Sequence, residues 1–206
     1  RHSFPTRRSS DLAVSTMSVV VSTARAATMA AGDPELPRVY LDTTYVTPTG
    51  RTIAVVAGGN LQTAINQAVP GDVITLQAGA TFTGNYTLPA KSGTGWVTIR
   101  TSAPDASLPP PGTRVTPSYA PVMAKIISPN SNEAVVTASR AHHYRFIGLE
   151  LGVAQGVDIY SIMSFDTEAT KIEDVPHDFI VARLFSHGAS HRFAGDFFAT
   201  AGLSKS

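Results

Sequence analysis

The 206-residue chain is long enough to bury a sizeable core, and with 43% hydrophobic and 15% charged residues it is no disordered polymer. It has no cysteine, which excludes a disulfide scaffold, a thiolate metal site and a cysteine nucleophile. The formal charge of +1 arises at the start: residues 1–26 hold four arginines against Asp11, leaving 12 basic and 14 acidic residues and no basic stripe for nucleic acid.

Residues 1–12 resemble translated library-adapter sequence and are set aside from fold reasoning. Residues 13–27 read as the remnant of a signal peptide: a short apolar run, Met17–Val21, precedes Ala24-Arg25-Ala26, which has the small-x-small form of a cleavage site. The run is far below the roughly 20 residues of a transmembrane helix. Export, to the cell surface or beyond it, is the expected location.

The strongest local signal follows at residues 58–72. Asn60 can cap a helix by accepting a free backbone N–H. Leu61, Ala64, Ile65 and Ala68 then fall on one helical face, and Pro70-Gly71 stops the helix. A strand is expected at 73–76. Further apolar strands are expected at 96–100, 125–128, 144–151 and 179–185, with weaker ones at 134–137 and 159–164. The 16 glycines and 14 prolines punctuate these runs, and the six prolines within 102–123 make that stretch a loop. Spacings of about 20 residues between strands suit a solenoid in which each coil covers the one before. A β-sandwich is the rival, but its hairpins favour Asn-Gly or Asp-Gly turns, and neither dipeptide occurs.

The run Gly59-Asn60-Leu61-Gln62-x-Ala64-Ile65-x-x-Ala68-x-Pro70-Gly71-Asp72-x-Ile74-x-Leu76 resembles the opening of pectate-lyase-like β-helix proteins. Residues 108–115, 141–150 and 175–178 are similar to a bacterial subgroup of them. The resemblance covers residues 35–190 and implies an all-β, right-handed parallel β-helix over residues 28–206, with a short N-terminal capping helix. It departs at Ala182, where an acid often stands before the arginine, and after His187. The few coils available imply an N-terminal fragment.

Polysaccharide lyases on this fold need a base and a cation, commonly Ca²⁺, to neutralise the uronate carboxylate. Six of the fifteen acids lie within 158–178 (Asp158, Asp166, Glu168, Glu173, Asp174, Asp178). Asp174 and Asp178 are the candidate Ca²⁺ ligands, against the alternative of a solvated insertion. Along 180–187, strict alternation would put Ile180, Ala182, Leu184 and Ser186 inside. It would put Arg183 and His187 together on the outer face as the candidate catalytic pair, against the alternative of a surface ladder. His187 and His191 have a metal-like spacing, which Gly188 and Ser190 deprive of its helix. On a strand His142 and His143 should point to opposite sides, the plain alternative being a coil corner, and Trp96 reads as a packed aromatic or a sugar platform. Two functions follow: an exported enzyme, a lyase or hydrolase acting on an acidic polysaccharide, or a non-catalytic glycan-binding β-helix. The first expects acids beside Arg183, the second only ordinary polar ladders.

Overall fold

The computed structural model describes residues 44–165 and 168–188, and the backbone of 198–200. The adapter-like and leader segments, Asp166 and His191 lie outside these residues.

The elements are β1 (Thr52–Val55), α1 (Leu61–Gln67), β2 (Val73–Leu76), β3 (Thr81–Thr83), β4 (Tyr86–Leu88), β5 (Val97–Thr101), β6 (Ala124–Ser128), β7 (Val135–Thr137), β8 (His142–Ile147), β9 (Leu149–Val153), β10 (Met163–Phe165), β11 (His177–Ala182), β12 (Phe185–Ser186) and β13 (Phe198–Thr200). Every pairing is parallel. The strands form three sheets, ordered β1-β2-β5-β8-β11, β3-β6-β9-β12 and β4-β7-β10-β13. From β2 onward the chain visits the three sheets in turn, circuit after circuit, which is a parallel β-helix.

The core is made of like residues stacked between circuits. In the five-stranded sheet Ile74, Ile99, Phe146 and Val181 align in one row. In the second sheet Phe82, Ile126 and Leu151 do the same. These side chains belong to one buried cluster, with Val181 partly buried against it. Parallel strands with helical return paths would need cover on both faces. Here the other two sheets provide the cover on the inside, so the outer face stays free to carry polar groups.

Helix α1 lies where the periodicity placed it. Asn60 Oδ1 accepts from Thr63 N at 2.9 Å, and Leu61, Ala64 and Ile65 are buried in the same cluster. Two expected strands are each two. The 144–151 run breaks at Gly148, which sits at φ +65°, and 179–185 breaks at Arg183, φ +53°. Gly148 N donates to Ala182 O, so the two corners stack. Strands β1, β3 and β4 were not expected; three or four residues are too few to show a period. Lys125 and Tyr144 lie in different sheets, so their spacing is not a coil repeat. Residues 102–123 form no strand, only 3-10 turns at Asp105–Ser107 and Pro117–Val122. Among the described residues no helix is long and apolar enough to cross a membrane.

Candidate functional site

Four described non-glycine residues adopt positive φ: Arg140 (63°), His143 (58°), Asp178 (57°) and Arg183 (53°). Each such residue costs of order 1 kcal/mol or more, and strain of this kind concentrates at functional sites. All four lie in or beside β8 and β11 of the five-stranded sheet. His143 and Asp178 fall between the register pairs His142–His177 and Tyr144–Phe179, so two adjacent circuits carry the same distortion. This region holds two clefts, one on each side of Trp96.

The first cleft, about 480 Å³, is lined by Tyr45, Asp105, Pro110, Arg145, Ile180 and Arg183 among others. Its centre is Arg145. Tyr144 and Phe146 point into the core, so alternation turns Arg145 outward, in a row with Thr98 and Ile180. Its guanidinium lies over the Tyr45 ring at 4.7 Å and the Trp96 ring at 4.9 Å. Nη1 donates to Val46 O at 3.2 Å, while Nη2 is buried with no partner. Only 2% of the residue is exposed. Burial pushes its pKa down against an opposing pull from Tyr45, yet a guanidinium keeps its charge in proteins. Among the described residues no carboxylate pairs with it. The Thr98 hydroxyl beside it is likewise buried and unpaired. Nearby, Arg100 and Arg183 share one acid, Asp105, at 2.8 and 3.1 Å. The proline-rich insertion delivers Asp105, Pro110 and Pro111 to this edge.

The second cleft, about 450 Å³, is lined by Lys91, Ser92, Arg140, His142, Glu173 and His177 among others. The positive φ of His143 interrupts alternation, so the two adjacent imidazoles meet: His142 Nδ1 is 2.7 Å from His143 Nδ1. This corrects the expectation that they face opposite ways. The His143 Nε2 edge lies 3.7 Å from Asp178 Oδ2, which also accepts from His177 Nδ1 at 2.8 Å. His142 and His177 stack with centroids 5.2 Å apart. Burial lowers the pKa of His143; Asp178 raises it, and His142 and His177 lower it again. Lys91 is also lowered by burial, against the pull of Asp72. Trp96 joins the clefts, meeting His143 edge-on at 5.1 Å and supporting Arg145 on its face.

The expected catalytic pair is not brought together. Phe179 and Val181 pack against the core, so Ile180 and Ala182 face outward, the reverse of the expected parity. Interior size was the wrong guide, because Phe179 stacks on the buried Tyr144 ring. The left-handed corner at Arg183 then resets the alternation, and Leu184 turns inward. Arg183 therefore lies at the end of the five-stranded sheet, and His187 just beyond β12 of another. His187 Nε2 lies 2.9 Å from Glu150 Oε1 and its Nδ1 3.1 Å from Gly188 O. Both ring nitrogens are thus already engaged within the chain, one by the Glu150 carboxylate and one by the Gly188 carbonyl. Glu150 is buried and also pairs with Lys125 at 3.3 Å.

Asp174 contributes its carbonyl to Arg140 N and Ser139 Oγ, and the Asp178 carboxylate is engaged by histidines. Among the described residues no group of three or more His, Asp or Glu side chains is placed to hold a metal ion. Ca²⁺ takes six to eight oxygens; the nitrogen-rich surroundings of Asp178 do not fit it. The residues that the sequence did not bring forward as a functional site are Arg145, Arg140 and the His142–His143 pair. Arg145 had one legible sign, a cation at an outward position inside an otherwise buried strand.

No protein-family model matches the chain, and no curated protein does. Among solved structures it is similar to an alginate lyase from Paenibacillus sp. str. FPU-7, at 19% identity and TM-score 0.39, covering 65% of this chain and 44% of that one. It is also similar to the PL6 family alginate lyase AlyGC, at 19% identity and TM-score 0.42, covering 77% of this chain and 20% of that one. The chain thus spans less than half the length of either.

Proposed function

We propose that this chain acts on a uronate-bearing polysaccharide laid along the outer face of the five-stranded sheet, with β-elimination as the reaction. The observation that carries the reading is Arg145: a desolvated guanidinium beside a cleft, braced by two aromatic rings, with a buried, unpaired Nη2 and no acid paired to it among the described residues. A buried polar group without a partner is costly. A planar carboxylate offers the fork-on-fork contact that would relieve the cost, and guanidinium suits it better than ammonium. The Trp96 and Tyr45 rings add apolar surface for sugar faces. Neutralising a uronate carboxylate is also what makes the adjacent proton removable. A single β-helix domain, exported to its substrate, belongs to the same reading.

The test is binding and turnover of alginate and pectate by the chain, beside a neutral glucan. Arg145→Ala and Arg145→Lys should each weaken polyuronate binding by about tenfold to a hundredfold, the value of a charged hydrogen bond. Calorimetric titration reads this, with circular dichroism to verify the fold. Equal affinity for the neutral glucan, or an unaffected Arg145→Ala, would remove the basis of the reading. Polyuronate binding with no unsaturated product would instead leave a binding module.

A further inference from the structure

We infer that the second cleft is the reaction centre, with His142 as its general base, positioned by His143 and Asp178. The inference rests on the polyuronate reading above and assigns its chemistry to residues on the far side of Trp96 from Arg145.

The argument begins with proton positions. Two facing Nδ1 atoms at 2.7 Å can hydrogen-bond only if one carries the proton and the other offers a lone pair. Burial lowers the pKa of His143 and so favours its neutral form, which has one N–H to place. Its Nε2 edge faces the Asp178 carboxylate at 3.7 Å, and an N–H dipole there is favoured over a lone pair. The Nδ1 of His143 is therefore the acceptor and the Nδ1 of His142 the donor. That leaves His142 Nε2 with a free lone pair, on a ring that lines the cleft and has no other hydrogen-bond partner among the described residues. Carboxylate, oriented imidazole and acting group in series is the general arrangement for activating a base.

The same cleft supplies what elimination requires. Arg140 and Lys91 line it; the Lys91 ammonium is anchored on Asn66 O at 2.8 Å. Arg140 is held in its strained backbone conformation by Asp174 O, which accepts from its N–H. These two cations can take the carboxylate of the sugar to be cleaved, while Arg145 holds the carboxylate of a neighbouring sugar. His142 Nε2 then removes the proton on the carbon bearing the carboxylate. That electron pair forms the new C=C bond as the adjacent C–O glycosidic bond breaks. The departing oxygen takes the proton back from the imidazolium. One water-free cleavage yields an unsaturated uronate end and a new hydroxyl. The titratable and charged groups facing His142 are Lys91, Arg140, His143, Glu173, His177 and Asp178.

The experiment follows unsaturated product by ultraviolet absorbance for the full chain and for His142→Ala, His142→Gln and Asp178→Asn, together with long-range proton–nitrogen spectra of the histidine rings. Removal of the base should lower kcat by about a hundredfold or more with KM nearly unchanged. Asp178→Asn should lower kcat less and displace the pH profile, as a positioning residue does. The spectra should show His142 protonated at Nδ1, and they also report whether each variant is folded. Turnover by His142→Gln close to wild type, or an Nε2-protonated His142, overturns the assignment and leaves the lyase reading standing. Failure of the wild-type chain to cleave any polyuronate overturns both.

Discussion

At the scale of single residues, the contrast between two buried charges is instructive. Asp72 is almost wholly buried, and desolvation alone would raise its pKa. The Val69 N–H, the Arg51 side chain and the Arg51 N–H outweigh that and lower it, through contacts at 3.0 to 3.1 Å. Its carboxylate ties the turn after α1 to the chain entering β1. A depressed folded pKa contributes stability above the unfolded value and loses it as pH falls through the folded one. Asp72→Asn should therefore cost about 1 to 3 kcal/mol at pH 7. The gap to wild type should shrink below the ordinary carboxylate value of 3.8. Urea denaturation at neutral and acid pH measures it, and a gap independent of pH would contradict the role. Arg145 is the opposite case. Its site is half satisfied, which is poor for stability and useful for binding. Asp72 was legible within the Pro-Gly-Asp motif. The burial of Arg145 between two rings was not, because Tyr45 and Trp96 come from distant segments.

At the scale of elements, the corners decide which way side chains point. Gly148 ends β8 at φ +65°, and a Cβ there would lie 2.8 Å from both Leu108 Cδ1 and Thr101 Cγ2. Gly112 has a similar φ, +77°, but open space around it. Gly148→Ala should thus cost clearly more than the roughly 1 to 2 kcal/mol of left-handed strain alone, and Gly112→Ala about that much. Paired thermal melts compare them, and equal losses would show that the corner is not tightly packed. Arg183 occupies the equivalent corner one circuit on, where its side chain reaches Asp105. The 179–185 stretch reads as one alternating strand because a period-two pattern carries no mark of a turn made by a non-glycine residue. Helix α1 was legible in full, since its cap, its apolar face and its stop are all local.

At the scale of the whole molecule, stacking makes the outer face a repeating platform. The cations at the two clefts, Lys91, Arg100, Arg140, Arg145 and Arg183, outnumber the acids Asp105, Glu173 and Asp178 there. Polyuronate affinity should therefore fall as salt rises, by about tenfold between 0.05 and 0.5 M, as screening shortens to a few ångströms. The Arg145 contribution should persist longest because it is shielded from solvent. Titration of wild type and Arg145→Ala over a salt series checks both statements; a flat response would argue against a charged ligand.

The sequence by itself determined the class of fold, the early helix and most of the long strands, because capping, helical periodicity and apolar runs are written in neighbouring residues. It also determined that residues 102–123 form no strand, since prolines cannot donate to a ladder. Only the tertiary structure decided where chemistry can sit. Left-handed residues within or directly after strands, His143, Asp178 and Arg183, reset the alternation that sequence reading assumes. Stacking of circuits then placed Tyr45, Trp96 and Arg145 in contact, and brought Asp178 to His143. These contacts depend on register between strands dozens of residues apart, and register is a property of the packed coil.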